Sequence, residues 1–272
     1  METTDEQATQ WNGTKGSAWV SLRPVLDDMY RPLEELLVDV VRDRAGATVL
    51  DVGCGAGSTT VALARHAGRC VGVDVAEPMI AAARTRPDAA AAEFLRADAQ
   101  DHPFPPRTFD TVVSRFGVMF FADPVRAFTN LRRAATDDAV LRLIVWRPAE
   151  ENPFMTTAEE AAAPLLPNLP VRRPGEPGQF AFGDPSYVRD VLARSGWADV
   201  ALRPIDVPCA FPENRLVDYF TGLGAVGLAL PEADDRTRDA VIRTVRAAFE
   251  PFVDGAEVRF TAACWMVDAP VR

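Results

Sequence analysis

Between Thr48 and Trp146 short runs rich in β-branched residues alternate with stretches of helical spacing, and few architectures accept that order. The runs are 48–52, "CVGVDVA", "AEFLRADA", "FDTVVSRF" and "AVLRLIVWRP". A helix starts near Ser58 and stops at "HAGR", with Gly68 as its expected C-cap. "EPMIAAARTR" is a second helix, and "DPVRAFTNLRRAA" a third, opened by Asp123 as N-cap with Pro124 at the first position. Strands separated by helices of this length lie parallel, with right-handed crossovers and helices on both faces. The expected fold class is therefore α/β, with a mostly parallel sheet.

Residues 1–44 precede that core as an N-terminal helical arm, with helical spacing over 22–44 and Pro24 and Pro32 as interruptions. The core spans 45–148. Residues 149–183, rich in Pro and Gly and including "RRPGEPGQ", are expected to form a lid insertion rather than a packed layer. A core helix ("DPSYVRDVLARSGW", capped by Asp184 and ended by Gly196) and a strand follow over 184–211. A helical lid over 212–254 and a final core strand over 255–272 complete the expected organisation.

The turn after the first strand reads "VLDVGCGAGSTT", with Gly53, Gly55 and Gly57 at alternate positions. Dinucleotides and S-adenosylmethionine both use such a loop at the carboxyl end of a first strand. A dinucleotide fingerprint needs its third glycine at position 58, which is Ser58. Asp51, two residues before Gly53, would repel a pyrophosphate yet suit an ammonium. Asp74 ends the second strand, where it can offer a carboxylate to ribose hydroxyls. Asp98, after the third, is placed to accept from an adenine amino group. The three acids together favour S-adenosylmethionine.

The net charge of −10, with lysine almost absent, argues against a nucleic-acid partner. Cys54, Cys70, Cys209 and Cys264 are far apart without metal-ligand spacing, so they are expected to be reduced thiols and no metal is expected. "METTDEQATQ" is neither a signal nor a transit peptide, and no apolar run is long enough for membrane insertion. The expectation is a cytoplasmic enzyme, in which the "NGT" at 12–14 is not a glycosylation site.

"VLDVGCGAGSTT", "VGVDVAEPMI", "LRADAQDHPFPPRTFDTVVSRFGVMFFADP" and "LRLIVWRP" resemble the successive motifs of class I S-adenosylmethionine-dependent methyltransferases. The likeness is greatest to the small-molecule branch related to quinone-biosynthesis C-methyltransferases (methyltransferase type 11), and it covers about 45–148. It implies a Rossmann-like seven-stranded sheet in the order 3-2-1-4-5-7-6, the last strand antiparallel, with an N-terminal arm and an inserted helical lid. It implies S-adenosyl-L-methionine as cofactor. By it, Gly53, Cys54, Gly55 and Gly57 lie along the methionine part with Asp51. Asp74 takes the ribose, Val75 or Met79 packs on adenine, and Asp98 and the Ala99 amide bind the adenine edge. Ser114, Arg115 and Phe116 stand beside the sulfonium.

Methyl transfer from a sulfonium needs positioning and exclusion of water more than acid–base work. His66, at a helix end, suits the dipole there, and His102 lies nearer the expected adenine than the methyl group; no catalytic residue is named. Arg115 pairs either with the cofactor carboxylate, with an anionic acceptor, or within a structural ion pair. Trp11 and Trp19 flank "NGTKGSA" and either close over the site or simply pack. Large apolar residues in "FGVMFF", "NPFM", "QFAF" and "YF" suggest a hydrophobic acceptor pocket, with Met119, Phe120, Phe154 and Phe182 as candidate substrate residues. The expected activity is methylation of a small apolar acceptor, aromatic or polyketide-like. An RNA or protein methyltransferase and a non-catalytic S-adenosylmethionine-binding protein are the alternatives.

Overall fold

The computed structural model describes Thr9 and residues 11–42, 44, 46–170, 173 and 175–270. The acidic leader (Thr9 aside) and parts of "RDRAG" and "RRPGEPGQ" lie outside the described residues. Parallel strands β1 (Thr48–Val52), β2 (Arg69–Asp74), β3 (Glu93–Arg96), β4 (Phe109–Arg115) and β5 (Ala135–Trp146) form most of one sheet, joined by β6 (Ala201–Pro212), a two-residue β7 (Val253–Asp254) and β8 (Glu257–Pro270). Their order is β3-β2-β1-β4-β5-β8-β6, and β8 runs antiparallel to both neighbours. This is the expected order, with β7 as an unforeseen addition that pairs with the start of β8.

The central strands are covered on both faces, which is why they read as continuous apolar runs; Val49, Leu50, Val112, Val113, Leu143, Ile144 and Val145 are all buried. Edge strand β6 instead carries Pro204, Pro208 and Pro212 at four-residue intervals. Each proline removes an amide that an added strand would need, so the edge is blunted.

Helix α1 (Thr14–Ser21) leads into α2 (Arg23–Arg42), which is continuous where two proline interruptions were expected. Pro24 sits in the first turn, where its missing N–H matters little. Pro32 lies inside, but Met29, Leu33, Leu37 and Val41 bury one face of the helix completely, and that packing holds the turn together. The helix after β1, α3 (Ser58–Ala64), ends before Gly68 and is not capped by it. Gly68 is needed for another reason: a Cβ there would stand 2.6 Å from the Gly46 carbonyl oxygen. The caps at Asp123 on α5 (Pro124–Ala134, following α4, Glu77–Arg84) and Asp184 on α7 (Pro185–Arg194) are as expected. Each carboxylate accepts a backbone N–H, and Gly196 takes φ +81°.

The segment 149–183 is more ordered than its composition suggested. It contains α6 (Pro153–Ala162), which packs against α10 (Asp235–Ala248) and α9 (Gly224–Ala229), while α8 (Leu216–Gly222) packs on α9 and α10. Phe154 of α6 stacks on Phe260 of β8 at 4.0 Å and meets Phe211, Tyr219, Phe249 and Phe252 within 6.1 Å. Only 2% of it is exposed.

Candidate active site

A cleft of about 1290 Å³, its mouth included, opens at the carboxyl ends of β1, β2 and β4. Its floor is the glycine turn. Gly55 has φ +54°, and a side chain there would project into open space, leaving the backbone accessible from the cleft. Gly53 and Gly57 serve packing instead. A Cβ on Gly53 would lie 2.6 Å from the Gly117 Cα, and one on Gly57 would lie 2.8 Å from Ala83 and Phe94. Alternate glycines thus have different causes, and Gly57 is not among the lining residues.

The Asp74 carboxylate holds this turn, accepting from the Gly55 amide at 2.8 Å and the Ala76 amide at 2.9 Å. Burial raises its pKa, and the backbone N–H bonds oppose that rise. Val75 and Met79 follow it on the cleft wall. Asp51 lines the cleft but is almost wholly buried, and it accepts from the Thr60 hydroxyl at 2.7 Å. Desolvation pushes it up to about 6 against the opposing Thr60 bond and the Arg115 charge. Asp98 accepts from the Gln100 amide at 2.8 Å, is raised chiefly by burial, and lines the cleft with Ala99. Burial, then the Asp74 and Asp51 charges, push the Cys54 thiol well above its ordinary range and favour its neutral form. All four cysteines are free thiols.

β4 ends in a sharp reversal. Phe116 adopts φ +68°, which is rare for so bulky a residue; its ring stacks on Trp146 at 4.5 Å and meets Tyr30 edge-on at 5.4 Å. The reversal lets Gly117 approach Gly53 backbone to backbone. Ser114 stands behind this contact, donating to the Val52 carbonyl at 2.7 Å and accepting from the Gly117 amide at 3.1 Å; it is buried and does not line the cleft. Arg115 lines the cleft while donating to Ser58 Oγ at 3.0 Å and to the Tyr30 carbonyl at 3.3 Å, with Glu34 at 3.8 Å. Its structural partners and its position in the cleft coexist.

The roof comes from the N-terminal segment. Trp11 meets Trp19 at 5.8 Å and Phe120 at 5.2 Å, both edge-on, closing the mouth from two sides. Asn12, within the "NGT" tripeptide, donates to the Val75 carbonyl at 3.1 Å and accepts from the Glu77 amide at 2.8 Å.

The structure does not bring Met119, Phe154 or Phe182 to the cleft. All three are buried elsewhere, since aromatic and thioether side chains in irregular segments found core partners rather than a pocket. His66 and His102 are also absent from the lining; the His102 ring packs on Phe104 at 4.6 Å. Lining residues the sequence reading missed include Leu26, Asp27, Tyr30, Arg86 and Gly117. Tyr30 shares the helical spacing of Leu26 and Leu33, and an isolated glycine after a strand signals close backbone approach, so two of these were detectable. The pairing of Asp27 with Arg86 had no local signal. Among the described residues no helix is long and apolar enough to cross a membrane, and no three metal-ligating side chains cluster.

Known proteins share the part of the chain that builds this cleft. A family described as a methyltransferase domain matches residues 50–143, the stretch from β1 to β5. Demethylmenaquinone methyltransferase of Thermus thermophilus is 30% identical over 173 residues, 59% of this chain and 79% of that protein. Nocamycin O-methyltransferase of Saccharothrix syringae is 30% identical over 193 residues, 64% of this chain and 67% of that one. The crystal structure of YcgJ from Bacillus subtilis superposes with a TM-score of 0.56 over 88% of this chain and 97% of YcgJ; at 19% identity that likeness concerns the fold alone. The chain belongs to the methyltransferase-domain family and is an S-adenosylmethionine-dependent methyltransferase.

Proposed function

We propose that the cleft binds S-adenosylmethionine and that the enzyme methylates a small, largely apolar acceptor admitted past Trp11, Trp19 and Phe120. The observation that carries this reading is Gly55: open space where a Cβ would stand, on a turn whose amide is held by a buried carboxylate. That cradle, with acids after three successive strands, fits an adenosyl group and an amino-acid tail.

In this reading the remaining acceptor capacity of Asp74 serves the ribose hydroxyls. Val75 and Met79 flank adenine, and Asp98 with the Ala99 amide meets its edge. Asp51, Gly53 and Cys54 lie along the amino-acid end, where an ammonium neighbour favours the ionised form of Asp51. Arg115 and Phe116 stand beside the reacting centre, Arg115 as a counter-charge to the carboxylate of the amino-acid tail. Bound S-adenosylmethionine supplies a methyl group on a sulfonium, already activated for in-line displacement. The chain's own task is to hold the acceptor atom at attack geometry and keep water out, which the aromatic roof performs. The net charge of −10 and relatives named for demethylmenaquinone and nocamycin support a small-molecule acceptor over RNA or protein.

Calorimetric titration separates the ligand classes. S-adenosylhomocysteine is expected to bind and NAD to give no heat; the reverse would overturn the cleft assignment. Turnover of quinone and polyketide panels with labelled S-adenosylmethionine then separates an enzyme acting on small molecules from one acting on macromolecules.

A further inference from the structure

Three polar attachments fasten the N-terminal segment over the cleft, and all end on α4 or its immediate flanks. Asn12 reaches Val75 and Glu77 at its start, Arg23 donates to the Ala82 carbonyl at 3.4 Å, and Asp27 pairs with Arg86 at 2.7 Å just past its end. The last differs from the others. Arg86 Nε also donates to the carbonyl of Ala56, next to Gly55 in the glycine turn. One guanidinium therefore joins the floor of the cleft to the helix that roofs it, where Leu26 and Tyr30 flank Asp27 on the lining. Its side chain is 13% exposed and that of Asp27 29%, so the link is largely shielded from solvent.

We infer that Arg86 is a positioning residue for the cofactor, holding the Gly55–Ala56 backbone and α2 in fixed relation. The inference rests on the reading that this cleft binds S-adenosylmethionine. Two donors on one planar fork serve Ala56 and Asp27 together, which the point charge of a lysine cannot reproduce. The geometry also explains why an arginine follows α4 at a position with no local structural demand. Without the fork, the glycine turn keeps its Asp74 bond but loses its tie to the roof. The ligand must then order both surfaces as it binds.

The test compares Arg86→Lys, Arg86→Met and Asp27→Asn with a control link of similar shielding away from the cleft. Arg142 and Asp268 pair at 2.6 Å between β5 and β8, with 24% and 28% exposure, and neither lines the cleft. S-adenosylhomocysteine affinity is measured by calorimetry, the closing of the roof by tryptophan emission on ligand addition, and stability by Tm. Arg86→Met is expected to weaken affinity at least tenfold and Arg86→Lys about as much, with a diminished emission change. Asp27→Asn is expected to fall between these variants and wild type. Arg142→Lys should lower Tm comparably while leaving affinity within twofold. Should Arg86→Met fail to fold, the Lys and Asn variants interrogate the same link. Affinity and emission unchanged in Arg86→Lys and Asp27→Asn would overturn the inference, as would rescue of full affinity by Lys. Wild-type protein that binds no S-adenosylhomocysteine would instead overturn the reading of the cleft.

Discussion

The rim around Trp11, Trp19 and Phe120 and the cluster around Phe154 share an aromatic composition but have opposite surroundings. At the rim, rings meet edge-on across a gap between two chain segments and face a cleft lined by carboxylates. Around Phe154, rings from α6, α8, β6, β8 and the turn before β7 close on one another with no carboxylate among them, the Tyr219 hydroxyl turning to Met155. Composition is blind to that difference. What separates the regions is the company each keeps: positive-φ glycines and buried acids in one, uninterrupted apolar contact in the other.

The largest effect expected is at Phe154. Phe154→Ala should lower stability by about 3–5 kcal/mol, because the transfer and cavity terms add where the surroundings cannot collapse. In a chain of this size that is a fall in Tm of roughly 10 °C. S-adenosylhomocysteine affinity should stay within twofold of wild type. A small change in Tm with altered ligand binding would place the cluster in the site and erase the contrast.

The next effect runs the other way. On the proposed reading of the cleft, in which Asp74 accepts from two ribose hydroxyls, Asp74→Ala should weaken S-adenosylhomocysteine binding by about 2–4 kcal/mol, its hold on the glycine turn being lost as well. Its loss of stability should be smaller than that of Phe154→Ala, since burial already works against the ionised carboxylate. Calorimetry beside thermal melts of the two variants should give crossed results. Parallel losses in both measurements would mean that the two regions are not separable.

Legibility in the sequence follows the same division. Strand order and the cleft floor were readable because they depend on residues with few substitutes: a glycine where the backbone turns left-handed, a carboxylate at a strand end, an aspartate capping α5. The apolar side was not readable, because an aromatic residue serves a core and a pocket equally well. Phe154, Phe182 and Met119 were expected at the cleft on density alone and lie in the core. Arg86 and Asp27 escaped notice because their pairing spans 59 positions and repeats no local pattern. Even within the glycine turn the pattern said only that side chains were excluded. It took the positions of Gly117, Ala83 and Phe94 to say that two of the three glycines make room for protein rather than ligand.

The smallest effect expected concerns the charge the cleft keeps buried. Asp51 has its pKa raised to about 6, by burial above all, with Glu34 and Asp74 pushing the same way and Thr60 and Arg115 opposing. In the unfolded chain the same carboxyl ionises at about 3.9. The folded state therefore binds this proton more tightly. The resulting stabilisation is complete below about pH 4, declines as pH rises through about 6, and is gone by about pH 8. A gap of roughly two pH units corresponds to about 3 kcal/mol. Asp51→Asn can still hydrogen-bond Thr60 and has no charge to bury, so it should escape that decline. Asp74 titrates in both proteins and, as the weakest of the contributions to the Asp51 shift, largely cancels from the difference. Urea unfolding of wild type and Asp51→Asn at pH 4.5 and pH 8 should show the variant gaining about 1–3 kcal/mol relative to wild type from the lower to the higher pH, short of the full gap because pH 4.5 already lies above the unfolded carboxyl's pKa. Phe154→Ala measured alongside should differ from wild type by the same amount at both pH values, because nothing in its cluster titrates in that range. A pH-independent difference for Asp51→Asn would mean that Asp51 ionises normally in the cleft. The contrast between a charged cleft and an apolar core would then rest on Asp74 and Asp98.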